Sequence, residues 1–119
     1  MNQKKILIID DEPSLLVILG KFLEKLNYHA DTAETGQKGL DLFESAPNDY
    51  YGVIIDYNIP GSSSSEILKT IKKKNPAIKT VLTTGFSVDE MKKDFEVKFD
   101  ATLQKPFTFT DFQKMISNL

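Results

Sequence analysis

The stretch that decides the fold is KKILIIDDEPS, residues 4–14. Its apolar run, Ile6-Leu7-Ile8-Ile9, is short and rich in β-branched residues, which predicts a buried strand over residues 5–9. The run stops at three acids, Asp10, Asp11 and Glu12. Two unit charges about 4 Å apart, at an effective dielectric near 20, repel by about 4 kcal/mol. A buried strand that ends in such repulsion needs a compensating cation. Pro13 then suits the first turn of a helix, where its missing N–H costs nothing. Leu15, Leu19, Phe22 and Leu26 follow at i, i+4, i+7 and i+11, one apolar stripe along that helix.

Further along, a strand is predicted near 28–32 and a helix near 35–45 with Leu40 and Phe43 inward. Val53-Ile54-Ile55 reads as a second buried strand, ending at Asp56. YNIPGSSSS is a loop, with Pro60-Gly61 as its turn. Ser63 and Glu66 have capping-box spacing before a helix whose core face holds Ile67, Leu68 and Ile71. Asn75-Pro76 ends that helix, and a strand runs from Ile78 to Leu82 or Thr83. Ser87 and Glu90 form a second capping box, with Met91 and Phe95 inward. A last strand near 100–104 precedes Lys105-Pro106, and a helix near 109–118 buries Phe112, Met115 and Ile116. Phe107 and Phe109, at its start, read as core or staple residues. Strands and helices thus alternate five times, which predicts an α/β domain with a parallel sheet between helical layers.

Composition sets the bounds. The 119 residues suit one domain, with no linker or second domain visible. Fifteen basic and 17 acidic residues give a net charge of −2, without the basic surplus of a nucleic-acid binder. Lys72-Lys73-Lys74 reads as the solvated end of a helix. With no cysteine and a single histidine, His29, neither a disulfide framework nor a zinc site is expected. No apolar run approaches a membrane span and no signal peptide is visible, so a cytoplasmic location is expected.

Parallel sheets of this kind place ligands at the carboxyl ends of their strands. Here those ends carry Asp10 and Asp11, Asp56, Thr83-Thr84 and Lys105. One edge of the sheet would therefore gather carboxylates, a hydroxyl and an ammonium. Oxygen ligands from a few carboxylates suit Mg²⁺, which keeps several waters and favours sites shared with phosphate.

At these residues the chain resembles the receiver domains of two-component signalling, over roughly residues 4–118. The landmarks are IIDDEPS, VIIDYNIPG, VLTTGFS and LQKPF, in that order and each at a strand end. The resemblance implies a flavodoxin-like, doubly wound (βα)5 sandwich, with a five-stranded parallel sheet in the order 2-1-3-4-5. It implies one receiver over residues 1–119, with no output domain in the chain. Asp56 would take a phosphoryl group from a phosphohistidine on a sensor kinase or histidine phosphotransfer protein. Asp11 would bind Mg²⁺ directly and Asp10 through water, with Asp56 and the backbone carbonyl of Asn58 completing the protein ligands; Mn²⁺ would substitute. Thr84, chosen over Thr83 because Gly85 follows, would hydrogen-bond the phosphoryl group, and Lys105 would pair with Asp56 and then with that group. The Lys105-Pro106 bond would be cis. The domain would turn over no external substrate, and its output partner would meet the face of the fourth helix, fifth strand and fifth helix.

The chain departs from the family pattern in two places, and two further positions bear on phosphate lifetime. Thr102 stands where relatives have Tyr or Phe, so the usual aromatic relay is absent, with Phe86 and Phe99 as neighbouring substitutes. Ser64 stands where glycine is frequent, which predicts a more polar loop with a serine cap and little effect on the chemistry. Asn58 and Phe86 occupy the positions that set phosphate lifetime in relatives, and a bulky Phe86 predicts slow loss of phosphate. The alternative function is a degenerate receiver that binds partners without phosphorylation. A flavin-binding domain is disfavoured because Asp10-Asp11-Glu12 would repel its phosphate. An aspartyl-nucleophile phosphatase is disfavoured because Asn58 stands where a second aspartate would act.

Overall fold

The structure is a computed structural model that describes residues 3–85 and 98–119. Its elements are β1 (Lys5–Ile9), α1 (Pro13–Lys25), β2 (His29–Ala33), α2 (Gly36–Ser45), β3 (Tyr50–Asp56), α3 (Ser64–Lys74), β4 (Lys79–Thr84), β5 (Ala101–Gln104) and α4 (Phe109–Ser117). The predicted capping box of Ser87 and Glu90, and the inward Met91 and Phe95, lie outside the described residues. All strand pairs are parallel, in the order β2-β1-β3-β4-β5. This is the flavodoxin-like order that the resemblance implied.

Side chains alternate across a strand, so each buried strand feeds both faces of the sheet. Ile6 and Ile8 of β1 join Ile54, Val81 and Leu103 under α1 and α4. Leu7 and Ile9 join Val53, Ile55 and Leu82 under α2 and α3. Each fully buried aliphatic side chain contributes roughly 1.5–3 kcal/mol relative to exposure. Helices on both faces are therefore what a sheet of continuous apolar strands requires.

The stripe predicted for α1 is rotated from the observed one. Leu16, Leu19 and Leu23 are buried, while Leu15, Phe22 and Leu26 lie half-buried at its margin. These five leucines and one phenylalanine, with Val17 and Ile18, cover more than one helical face, and spacing alone does not say which line meets the sheet. Pro13 does open α1, and Glu12 is its N-cap residue. In α2, Phe43 is buried and Leu40 half-buried. Gly39 lets α2 approach β1, since a Cβ there would stand 2.4 Å from Ile9 Cδ1.

Ser63 caps α3 by accepting from the Glu66 N–H at 3.2 Å, but the Glu66 carboxylate turns to Lys69 Nζ at 3.6 Å rather than closing the box. A complete capping box forms instead at α4, between Thr108 and Asp111. Phe107 stacks on Phe112, with centroids 6.3 Å apart, and these are the two positions of a hydrophobic staple. Phe109 packs edge-on against Phe22 at 5.0 Å and so ties α4 to α1. Lys72, Lys73 and Lys74 occupy the last turn of α3, where positive charge complements the helix dipole, and Lys74 bridges to Glu44 of α2 at 2.7 Å.

Candidate functional site

The carboxyl edge of the sheet gathers the acids. Asp10 follows β1 directly and Asp56 ends β3, and these two strands are neighbours with Ile9 in register with Ile55. Asp10 is 2% exposed and Asp56 7%, whereas Asp11 is open to solvent. One carboxylate oxygen from each of Asp10, Asp11 and Asp56 lies within 4.8 Å of the others.

Lys105 reaches the same point from the far side of the sheet. Its N–H bonds to the Thr84 carbonyl at 2.7 Å, which carries the β4–β5 pairing one residue past the strand. The Lys105-Pro106 peptide bond is cis. The ammonium lies 3.1 Å from Asp10 Oδ2, 3.3 Å from Asp56 Oδ2 and 3.8 Å from Glu12 Oε1. The pairing with Asp10 is as close as the expected one with Asp56. It joins residues 95 positions apart, so local sequence carries no signal of it.

Backbone donors complete the arrangement. Glu12 N–H donates to Asp10 Oδ1 at 3.0 Å, and Asn58 N–H to Asp56 Oδ1 at 3.4 Å. Burial holds the Asp56 carboxyl above the ordinary carboxylate range, and the charge of Asp10 adds to this. The Lys105 charge and the Asn58 N–H pull the other way without prevailing. For Lys105 burial opposes the charged form, but attraction to Asp56 and Asp10 outweighs it and raises the pKa.

Asp10, Asp11, Asp56 and Lys105 are thus brought together, with Asn58 adjoining them. Thr83 and Thr84 are both buried at the end of β4, Thr83 in register with Asp56. Thr102 lies half-buried within β5, opposite Leu82. Phe86 lies outside the described residues, and Phe99 is half-buried against the α2–α3 side of the core. His29 begins β2, at the opposite edge of the sheet, where it is exposed and pairs with Asp31 at 3.1 Å. Glu12 is exposed as expected, although its carboxylate belongs to the Lys105 environment. The expected serine cap is Ser63, while the Ser64 side chain turns inward to the backbone of the Asp56 segment.

The carboxylates of Asp10, Asp11 and Asp56, with Glu12 at the margin, outnumber the one ammonium and leave this edge net negative. The donor set is oxygen only, and it converges beside solvent at Asp11. It fits a hard divalent cation that retains water, as Mg²⁺ does.

Comparison with known proteins gives consistent results. The family model described as "Response regulator receiver domain" matches residues 6–117. Sporulation initiation phosphotransferase F of Bacillus subtilis is 27% identical over 117 residues, covering 98% of this chain and 93% of that protein. Transcriptional regulatory protein ResD of Bacillus subtilis is 30% identical over 107 residues, covering 90% of this chain but only 44% of ResD. The match thus takes in nearly the whole of the first relative, but less than half the length of ResD. Among solved structures, the response regulator TrrA of Thermotoga maritima in complex with Mg²⁺-BeF superposes with a TM-score of 0.84 and 32% identity, covering 97% of each chain.

Proposed function

The chain belongs to the response regulator receiver family, and from that premise we propose that it is a phosphoacceptor switch with Asp56 as the acceptor. A carboxylate oxygen of Asp56 attacks the phosphorus of a phosphohistidine on a sensor kinase or histidine phosphotransfer protein. The O–P bond forms as the N–P bond breaks, and the electron pair of that bond stays on the departing imidazole nitrogen. The product is an aspartyl phosphate.

Phosphoryl transfer asks chiefly for positioning and for charge placed around the moving oxygens. Receiver domains bind Mg²⁺ at an acidic cluster, and here Asp10, Asp11, Asp56 and the Asn58 carbonyl would hold it. When bound, Mg²⁺ supplies positive charge to the phosphoryl oxygens; Mn²⁺ would serve similarly. Lys105 orients the Asp56 carboxylate before transfer and then pairs with the phosphoryl group. The Thr84 hydroxyl donates to a phosphoryl oxygen. Asp10 keeps Lys105 in place throughout. The output partner, in the cytoplasm, would meet the face that carries β5 and α4.

The observation that carries this reading is the Asp56 carboxylate, buried at the end of a central strand with Lys105 at 3.3 Å and two further carboxylates beside it. The test is intact mass after incubation with Mg²⁺ and a small acyl phosphate. The parent gains one phosphoryl group, and omission of Mg²⁺ or the substitution Asp56→Asn abolishes the gain. An Asp56→Asn variant that gains the same mass would overturn the assignment. Mg²⁺ binding without phosphoryl uptake from either an acyl phosphate or a kinase would favour the interaction module.

A further inference from the structure

Ser64 is 4% exposed and stands at the first position of α3, eight residues after Asp56. Its Oγ lies 2.9 Å from the Asp56 carbonyl oxygen and 2.5 Å from that of Tyr57. Successive carbonyls of a strand point in opposite directions, so two that converge on one hydroxyl mark where the strand gives way to the loop. Buried backbone carbonyls need partners, and the Ser64 hydroxyl is one that both share. The Tyr57 N–H still bonds to Thr83 at 2.7 Å, and the Asn58 N–H turns back to the Asp56 carboxylate. The serine therefore grips the chain between the acceptor carboxylate and Asn58.

We propose that Ser64 is a positioning residue, whose hydroxyl fixes the Asp56–Tyr57 backbone and so sets the acceptor carboxylate and the Asn58 carbonyl for a divalent cation. The consequence for the cation rests on the function proposed above; the grip on the backbone does not. A glycine at this position has no hydroxyl to give these carbonyls. The serine is thus a feature of this chain's own loop, distinct from the cap that Ser63 provides.

Two measurements on Ser64→Ala, with Ser64→Gly as a second variant, decide the matter. In metal-free protein, loss of the hydroxyl speeds hydrogen exchange at the Tyr57 and Asn58 amides by roughly five- to tenfold. In a titration with Mg²⁺ alone, followed by amide chemical shifts, the Kd rises by about tenfold, as for other groups that orient metal ligands. A purely structural serine would lower the melting temperature and leave the Kd unchanged. Exchange and Kd both within twofold of the parent would overturn the proposal. A parent that binds no Mg²⁺ would overturn the functional reading instead, and the exchange rates would still decide the role of Ser64.

Discussion

At the scale of single residues, the site is governed by a contest between burial and charge. Asp56 is held above the usual carboxylate range chiefly because its charged form is desolvated. The folded protein therefore binds this proton more tightly than the unfolded chain. Between the two pKa values, folding stability falls as pH rises, because ionisation then costs more in the native state. Metal-free Asp56→Asn should accordingly melt higher than the parent at neutral pH, and the difference should shrink as pH falls through the Asp56 pKa. Thermal melts of both proteins across that range, without divalent ions, check this. A flat difference would mean that Asp56 is not the strained group. Sequence made the residue types legible: acids at two strand ends and a lysine after a third. It did not reveal that Lys105 leans equally on Asp10, because that pair is made only when β1 and β5 are brought to one edge.

At the scale of elements, local rules and packing had different reach. Pro13, the turn at Pro60-Gly61 and the Asn75 stop lie where local chemistry puts them, with Gly61 at φ 75°. Caps were less legible. The spacing of Ser63 and Glu66 promised a reciprocal box, but Glu66 is exposed and Lys69 competes for it. At α4 both halves form, between Thr108 and Asp111, and the phenylalanine staple beside them fixes the entry of the chain. Thr108→Ala should therefore cost about 1 kcal/mol. Urea unfolding should show this as a lower midpoint with an unchanged slope. The Asp111 carboxyl lies below its usual range because it accepts from Thr108. Its contribution is present above the unfolded carboxylate pKa and fades as pH falls through the depressed one. The α1 stripe shows the opposite limit, since its seven large apolar residues could present several lines and the sheet selected Leu16, Leu19 and Leu23.

At the scale of the whole molecule, the sheet order does the chemical assembly. Placing β1 beside β3 sets Asp10 and Asp56 together, and β4 and β5 bring Lys105 across to them. The resulting excess of negative charge is a standing cost that a bound cation removes. Mg²⁺ at a hundred times its Kd should therefore stabilise the fold by about 2.7 kcal/mol. Melts with and without Mg²⁺ should show a higher melting temperature in the parent, and the increment should be lost in Asp11→Asn. The sequence by itself determined the alternation of elements, the two-faced apolar strands and the identity of the strand-end residues, because these follow from local periodicity and backbone chemistry. Only the tertiary structure decided which line of α1 is buried, that Lys105 is shared between Asp10 and Asp56, and that Ser64 turns inward to the Asp56 and Tyr57 carbonyls. Those outcomes depend on contacts between segments distant along the chain, whose distances are set by how the layers pack rather than by any residue's own preference.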